Sequence, residues 1–307
     1  MIIVKTPLRI SLAGGGTDIK PWYSQYGAIF LSATINKYIY TSLARSAYNP
    51  RIRLRYSKME EVSEAYELKN EIARETIQQY LLGGGVEITT HAEIPAATGL
   101  GSSGAFGVSL LHVLNPTWNA ATLAEQATRI QMDVLGYPVG KQDQYTAAYG
   151  GVGLYAIDFD GDVTVSPFMN TGTWKKLQEK LVMFYTGITR DTNEVLREST
   201  LDGLSTVAEV GGKMIEALGK EQFDIYGALL DEHWAAKKKR GKLSSPQIDE
   251  WYEKAKENGA LGGKLVGAGG GGHLLCYTND RQRLIDAMPL KEEEFEFAFE
   301  GSKVFEI

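Results

Sequence analysis

The chain has 307 residues, a formal net charge of −6 and 43% hydrophobic residues, which is typical of a globular protein with one large or two medium domains. The mildly acidic composition does not indicate a basic surface that would bind nucleic acid or an anionic membrane. The one basic run, residues 237–240, is interpreted as a solvated helix face. A single cysteine, Cys276, excludes an intrachain disulfide and a thiolate metal cluster, and because neither a signal peptide nor a membrane-spanning run is visible, we expect a cytoplasmic protein.

The first half of the chain alternates strand and helix patterns. Strand-like alternation occurs at residues 2–10, 28–43, 51–57 and 86–92, and helical periodicity occurs at residues 58–82, 103–114 and 121–135. Residues 151–167 are strand-rich around the turn sequence at residues 158–162, and residues 181–185 predict another strand. This order predicts an α/β arrangement for the first half.

The second half has a different order of elements. Helical patterns occupy residues 192–218, 221–239 and 246–258, and strand-like segments at residues 263–278 and 294–307 follow. Helices followed by strands in one unit predict a two-layer α+β domain. We therefore expect an α+β chain of two domains, residues 1–170 and residues 171–307, with the boundary near residues 168–175.

The most informative segment is a glycine-serine loop between the strand at residues 86–92 and the helix at residues 103–114. Its glycines let the backbone approach a ligand, and the helix after it presents unpaired N–H groups and the positive end of its dipole. The loop predicts a phosphate cradle, although an ordinary strand-to-helix turn with a serine cap also fits it. It is not a Walker A sequence, because no lysine follows its last glycine. The residues assigned to it are Pro95, Gly99, Leu100, Gly101, Ser102, Ser103 and Gly104.

Three further segments point to a site. Residues 7–18 run from a strand carrying Arg9 into three glycines and an aspartate, which indicates either a close approach to a ligand or a loop tip. Residues 264–273 match G-x-G-x-x-G but lead into a strand, so we reject a dinucleotide fingerprint in favour of a glycine loop between antiparallel strands. Asp143, among polar residues, is either a proton acceptor in a crowded site or part of a surface turn.

Taken together, these segments resemble the GHMP small-molecule kinases. The order is Pro-x-Arg…Gly-Gly-Gly-Thr-Asp, Pro-x-x-x-Gly-Leu-Gly-Ser-Ser-Gly, Gly-Lys-Gln-Asp-Gln and Lys-x-x-Gly-Ala-Gly-Gly-Gly-Gly, and it covers nearly the whole chain. Within that family, residues 12–18, 31–38 and 140–145 are most similar to the D-glycero-D-manno-heptose 7-phosphate kinases. Galactokinases usually carry Gly-Glu-His-Thr-Asp at the first motif, so the glycines at residues 14–16 leave room for a larger sugar.

The resemblance implies a ribosomal-protein-S5-like N-terminal domain and a ferredoxin-like C-terminal domain, with ATP, Mg²⁺ and a sugar phosphate meeting in the cleft between them. It implies that residues 99–104 wrap the ATP phosphates, that Ser103 approaches Mg²⁺, and that Asp143 orients or deprotonates the anomeric hydroxyl. Arg9 would stabilise Asp143 or the transferring phosphoryl group. The implied substrate-binding residues are Gly14, Gly15, Gly16, Thr17, Asp18, Asp143, Arg190, Gly269, Gly270 and Gly271.

Two assignments stay open. Family members usually have a glutamate about a dozen residues before the catalytic aspartate as a second Mg²⁺ contact, and the match here is Gln131, whose amide binds a hard cation less well. Either the ATP oxygens hold Mg²⁺, or water mediates the contact, or Asp133 substitutes. A second phosphate on the sugar needs its own cation, for which Arg190, Lys37 and Lys20 are the candidates.

The expected function is that of an ATP- and Mg²⁺-dependent sugar 1-kinase that converts D-glycero-D-manno-heptose 7-phosphate into the 1,7-bisphosphate for nucleotide-activated heptose. The alternatives are a kinase for an unphosphorylated sugar of the fucose or galactose type and a non-catalytic ligand-binding protein on the same fold. The sequence leaves a homodimer open and indicates no nucleic-acid or membrane partner.

Overall fold

The computed structural model describes residues 1–81, 83–168, 171–190 and 192–306. The strands are β1 (Ile2–Ala13), β2 (Ala28–Arg45), β3 (Ile52–Arg55), β4 (Met59–Val62), β5 (Val86–Ala92), β6 (Val152–Ile157), β7 (Val163–Pro167), β8 (Leu181–Tyr185), β9 (Ala260–Leu265), β10 (His273–Thr278), β11 (Lys291–Glu292) and β12 (Lys303–Glu306). The helices are α1 (Lys20–Tyr26), α2 (Glu71–Tyr80), α3 (Ser102–Leu114), α4 (Ala120–Arg129), α5 (Gln142–Tyr149), α6 (Thr171–Gln178), α7 (Thr192–Arg197), α8 (Leu204–Gly219), α9 (Phe223–Lys238), α10 (Pro246–Glu257) and α11 (Arg281–Ala287).

The first sheet is built around the long strand β2. Its order is β12-β1-β2-β5-β3-β4, and β6 and then β7 extend it from the opening half of β2. The pair β3 and β5 is parallel and the other pairs are antiparallel. Helices α3 and α5 pack against β1 and β2. This packing buries Leu8, Ile10 and Leu12 completely, so β1 is a central strand and its end lies deep in the molecule.

The second sheet is smaller and antiparallel, with the order β11-β8-β10-β9. Helix α9 packs on β9 and pairs with α8, and α8 also contacts β1 and β2 of the first sheet. A single apolar cluster therefore runs from Leu8 and Ile10 of β1 through Val210 of α8 to Leu275 of β10. The end of β1 and the buried face of α9 are held together by this shared core.

The C-terminal segment returns to the first sheet. Strand β12 pairs with β1, and Phe297 forms a bridge with Ile35 of β2. The expectation that residues 294–307 belong with the second unit is wrong for the described part of that segment, because strand pairing between distant segments leaves no local sequence signal. The predicted domain boundary between residues 170 and 171 stays a prediction, because residues 169 and 170, just before it, lie outside the described residues.

Most predicted strands and helices are confirmed, with β5 and β8 at their predicted bounds. The helix predicted at residues 58–82 is wrong over its first half, which forms β4 and a 3₁₀ turn before α2 begins; Leu82 lies outside the described residues. The pattern at residues 192–218 is two helices, α7 and α8, rather than one. Among the described residues, no helix is both long and apolar enough to cross a bilayer.

Candidate active site

A cleft of about 690 Å³ opens where the end of β1, the starts of α3 and α5, and the inner face of α9 meet. Residues from separate sequence motifs line it together. The predicted site residues on its wall are Arg9, Gly15, Gly16, Asp18, Pro95, Gly99, Gly101, Ser102, Ser103, Gln131 and Asp143. The motifs that lie far apart in the sequence therefore form one site.

The glycine-serine loop has the geometry of an anion cradle. Gly99 and Gly101 adopt φ values of 84° and 76°, and Gly101 is the N-cap of α3 without any side-chain cap. The serine-capped turn that the sequence left open is therefore absent from this described segment, and the first residues of α3, Ser102 and Ser103, line the cleft. The Ser102 hydroxyl is buried and has no hydrogen-bond partner among the described residues. An unpartnered buried hydroxyl beside the uncapped end of a helix offers hydrogen-bond donors that suit an anion.

The other assigned residues of this loop shape it from behind. Leu100 is fully buried, and Gly104 packs directly against Asp143 at the start of α5. Gly99 lies so close to the backbone of Val266 and Gly267 that a side chain on it would overlap them. The glycine segment after β9 therefore supports the loop through backbone-to-backbone packing.

Arg9 and Asp143 form the central charged pair of the site. The Nε and Nη2 atoms of Arg9 lie 2.7 and 2.6 Å from Oδ1 of Asp143, and Nη1 donates to the carbonyl of Gly99 at 2.5 Å. The Arg9 side chain is 5% exposed, whereas that of Asp143 is 31% exposed towards the cleft. Within the described chain, Oδ2 of Asp143 accepts no hydrogen bond. One guanidinium thus fixes both the carboxylate and the phosphate loop and leaves one carboxylate oxygen available to a ligand.

Asp18 is the second carboxylate on the wall. It accepts hydrogen bonds from the backbone N–H of Gly16 at 3.0 Å and of Gln142 at 2.9 Å, which orient its side chain. Burial raises the pKa of this carboxyl, the two N–H donors oppose that shift, and the nearby charge of Asp143 adds to it. Gly14 and the buried Thr17 do not line the cleft; the Thr17 hydroxyl donates to the Gly14 carbonyl at 2.8 Å and closes the turn.

Gln131 faces Ser103, as the resemblance implies. Residues Ile130–Val134 form a π-helical turn, an uncommon element that is frequent at functional sites. This turn puts Oε1 of Gln131 3.4 Å from the Ser103 hydroxyl, and Gln131 is 1% exposed. Asp133 lies instead along a neighbouring depression with Lys20 and is not part of the cleft wall. Within the described residues, no group of three or more acidic, histidine or cysteine side chains is placed to hold a metal ion.

Several predicted substrate contacts lie away from the cleft. Arg190 borders a separate depression. Gly269, Gly270 and Gly271 pack against Leu243, Arg190 and Ile188, respectively. The residues of this glycine segment that line the cleft are instead Gly267 and Ala268. Lys37 pairs with Glu293 at 2.5 Å outside the cleft. None of the three cations proposed for a second phosphate therefore lies on the wall of the cleft that the structure describes.

Besides Arg9, three further cations line the cleft, and the sequence interpretation missed them. They are Lys237, Arg240 and Lys264, which are 6%, 3% and 1% exposed. The interpretation of residues 237–240 as a solvated helix face is wrong for the two ends of the run, because Lys237 on α9 and Arg240 in the turn after it are buried. The signal was the spacing of His233 and Lys237 at i and i+4, which places them on one helix face. An apolar part of the wall, formed by Ile39, Ile72, Ile94 and Phe106, was also missed.

A glycine loop with the geometry of an anion cradle lies beside an anchored carboxylate on the wall of one cleft, an arrangement that suits a small-molecule kinase. The family model of the GHMP kinases N terminal domain matches residues 63–151, and that of the GHMP kinases C terminal domain matches residues 214–291. The chain belongs to the GHMP kinase family and has its fold, as the sequence motifs predicted.

Similar proteins include several sugar kinases. The chain is 27% identical to the D-glycero-alpha-D-manno-heptose 7-phosphate kinase of Campylobacter jejuni, covering 100% of this chain and 99% of that relative. It is 25% identical to the galactokinase of Pyrococcus furiosus, covering 98% and 96%. The structure of a D-glycero-D-manno-heptose 1-phosphate kinase from Bacteroides thetaiotaomicron superposes with a TM-score of 0.82 at 24% identity, covering 100% and 99%. The chain is an ATP-dependent sugar kinase, a phosphotransferase with an alcohol as acceptor.

Proposed function

We propose that this kinase transfers the γ-phosphoryl group of ATP to the anomeric hydroxyl of D-glycero-D-manno-heptose 7-phosphate, giving the 1,7-bisphosphate. The observation that carries the proposal is the contact of Arg9 with both the Asp143 carboxylate and the Gly99 carbonyl. It holds the acceptor-side carboxylate at a fixed position relative to the phosphate loop. Phosphoryl transfer depends mainly on such positioning, because the protein has little covalent chemistry to perform.

The residues of the cradle fit ATP. The free N–H groups at the start of α3 and the unpartnered Ser102 hydroxyl would bind phosphate oxygens, and the apolar wall that includes Ile72 and Phe106 would contact the base. Ser103 and Gln131 offer neutral oxygens, so Mg²⁺ would be shared with the nucleotide and would offset charge on its phosphates. The proposed ATP-binding residues are those of the loop at residues 95–104.

On the acceptor side, Asp143 would receive the hydrogen bond of the reacting hydroxyl at its free oxygen, Oδ2. Arg9 orients that carboxylate through charge-assisted hydrogen bonds. The same guanidinium lies beside the loop and would stabilise negative charge on the group in transfer. Asp18, Gly15 and Gly16 border this space and would contact the sugar hydroxyls.

The choice of a heptose phosphate rests on two supports. The first is the Campylobacter relative, a heptose 7-phosphate kinase that aligns over the full chain. The second is the three-glycine motif at residues 14–16, which differs from the Gly-Glu-His of galactokinases, although Ser11 and Arg240 fill the room that the glycines were expected to leave. A kinase for an unphosphorylated sugar is the competing function, because the galactokinase relative also aligns over nearly the whole chain.

A substrate panel tests the proposal. ADP release is measured with heptose 7-phosphate, the unphosphorylated heptose, galactose and fucose, and the position of the new phosphate is determined by ³¹P NMR. We expect the highest kcat/KM with the 7-phosphate and a product phosphorylated at C1. Equal or better turnover of an unphosphorylated sugar would refute the substrate assignment while leaving the kinase activity in place.

The Asp143→Asn variant tests the catalytic assignment. Removing the negative charge while keeping the shape should lower kcat by at least about 100-fold, since positioned proton acceptors contribute factors of about 10² to 10⁴. ATP affinity should change little, because the phosphate cradle is made by backbone groups of the loop. Near-normal turnover in this variant would remove Asp143 from the mechanism.

A further inference from the structure

The face of α9 that borders the cleft, continued by the turn after it, is both basic and buried. His233, Lys237 and Arg240 expose only 1%, 6% and 3% of their surfaces, and all three line the cleft. Lys264 of β9 joins them from the adjacent strand. Buried charges of one sign are costly for a fold, so their concentration at one wall indicates a binding role.

The hydrogen bonds of these four side chains, within the described residues, do not include a carboxylate. Among the described residues, none of them forms an ion pair with a carboxylate. Their hydrogen-bond acceptors are backbone carbonyls: Arg240 donates to Thr200 at 3.2 Å, Lys264 to Leu12 at 3.2 Å, and Lys237 to Leu265 at 3.4 Å and also to Gly267. Both ring nitrogens of His233 are buried and have no hydrogen-bond partner in the described chain. A buried imidazole without a hydrogen-bond partner, beside buried cations, offers the groups that bind an anion.

The electrostatics agree with this geometry. Burial, together with the charges of Arg240 and Arg9, lowers the pKa of Lys237 to about 7, and the charge of Asp18 opposes that shift. Burial and the neighbouring charges of Lys237 and Arg9 also lower the pKa of Lys264 far below its usual range. A bound dianion would reverse the mutual repulsion and restore the charged forms of both lysines.

The position of Arg240 assigns the site to the acceptor sugar rather than to ATP. A Cβ on Gly16 would lie 2.6 Å from Nη1 of Arg240, so the guanidinium packs directly on the sugar-side glycine motif. Arg240 also borders the adjoining depression beside Ile19 and Lys20, so the groove continues past that motif. The ATP phosphates have their own cradle at the start of α3, where Gly101 is the N-cap.

We propose that Arg240 and Lys237, supported by His233 and Lys264, form a subsite for a phosphate monoester carried by the acceptor sugar, away from the hydroxyl that is phosphorylated. The inference rests on the proposed function and deepens it, because a heptose 7-phosphate would place its existing phosphate here. The fork of Arg240 suits two oxygens of a phosphate, and Lys237 supplies a point charge beside it. The subsite makes the enzyme select for a second anionic group on the sugar.

Binding to the full-length protein loaded with Mg²⁺ and a non-hydrolysable ATP analogue tests the subsite without turnover. Calorimetry compares heptose 7-phosphate with the unphosphorylated heptose for the wild type, Arg240→Gln, Lys237→Gln and Lys239→Gln. Two charge-assisted contacts predict that the wild type binds the phosphorylated sugar at least about 30-fold more tightly. Arg240→Gln and Lys237→Gln should each reduce this preference to below about 5-fold. Lys239→Gln, an exposed change on the same basic run, should keep it.

The analogue's own affinity, measured for each variant, shows whether the variant is folded. The subsite proposal is refuted if the wild type binds the two sugars equally well. It is also refuted if Arg240→Gln and Lys237→Gln keep the preference for the phosphorylated sugar and Arg190→Gln loses it. The two proposals fail separately. Turnover of heptose 7-phosphate with an unchanged KM in Arg240→Gln and Lys237→Gln refutes the subsite and leaves the function. If the enzyme prefers another sugar phosphate and the same two variants abolish that preference, the heptose assignment is refuted and the subsite proposal is kept.

Discussion

Gly104 and Asp143 are in direct backbone contact: a Cβ built on Gly104 would lie 2.5 Å from Cβ of Asp143. The first turn of α3, which follows the phosphate loop, is thereby packed against the first turn of α5, which carries the carboxylate. Arg9 also joins α5 to the loop before α3, through its hydrogen bonds to Asp143 and Gly99. The distance between the phosphate cradle and the acceptor-side carboxylate is therefore fixed by packing as well as by charge.

Gly104→Ala should separate these two helices and lower activity. The added methyl group has no space, so α3 or α5 must shift, and overpacking of this kind costs about 1–3 kcal/mol of unfolding free energy. A displacement approaching 1 Å between reacting groups lowers kcat by about 100-fold. Steady-state kinetics and urea unfolding measure the two effects.

Gly212→Ala is the matched control for that substitution. Gly212 also lies within a helix, α8, but a Cβ there would meet no atom within 4 Å. The change should leave kcat unaltered and raise the unfolding free energy by up to about 1 kcal/mol, because alanine favours the helix. If Gly104→Ala behaved like this control, the contact with Asp143 would have no role in setting the site.

Arg9→Lys should lower kcat while the charge at the site is kept. Arg9 contacts Asp143 through two of its nitrogens and the Gly99 carbonyl through the third. These three contacts need a planar guanidinium, which an ammonium group does not supply. We expect kcat to fall by about 10- to 100-fold, with a smaller change in the KM for ATP. Retention of full activity in Arg9→Lys would show that only the charge matters, and not the geometry that links the carboxylate to the loop.

The sequence singled out the glycine-serine loop and Asp143 because each belongs to a local pattern, and the structure places both on the wall of one cleft. It did not predict α5, since the buried Gln142 and Gln144 give that helix a polar inner face instead of an apolar stripe. Nor did it predict the pairing of β12 with β1, which joins opposite ends of the chain. Lys237 and Arg240 were predicted to be solvated because charged residues normally are. Their burial departs from that rule, and such departures are expected at sites that bind a ligand.

Gln131→Glu should strengthen the use of Mg²⁺. The amide oxygen lies 3.4 Å from the Ser103 hydroxyl, so a carboxylate at the same position would add a charged oxygen beside the proposed metal. We expect the Mg²⁺ concentration for half-maximal activity to fall by about 10-fold, measured at saturating ATP. An unchanged or higher Mg²⁺ requirement would place the metal away from this residue.

Asp133→Asn tests the alternative that Asp133, rather than Gln131, contacts Mg²⁺. Asp133 lies on the neighbouring depression and not on the cleft wall, so its neutralisation should leave the Mg²⁺ dependence as in the wild type. Thermal unfolding checks that the variant keeps its fold. A requirement for several times more Mg²⁺ would make Asp133 the ligand, contrary to the position of its π-helical turn.

The buried Lys237 predicts how stability changes with pH in the absence of ligand. Its pKa is about 7 in the folded protein and 10.5 when the chain is unfolded. Between these two values the unfolded chain binds a proton that the folded protein does not. The unfolding free energy contributed by this group therefore rises with pH, by at most about 1.4 kcal/mol per pH unit. Below about pH 7 both states are protonated and the contribution no longer changes.

Urea unfolding of the wild type and of Lys237→Gln at pH 7, 8 and 9 isolates this effect, because the other titrating groups largely cancel. The unfolding free energy of the wild type minus that of the variant should increase by about 1 kcal/mol for each pH unit. Removing the charge of Lys237 also raises the pKa of Lys264, which lowers the variant's own slope and enlarges the difference. Lys239→Gln should show a constant difference from the wild type, since solvent surrounds that side chain in both states. A constant difference for Lys237→Gln as well would mean that Lys237 keeps its proton in the folded protein across this range, and that an anion is not needed to hold it charged.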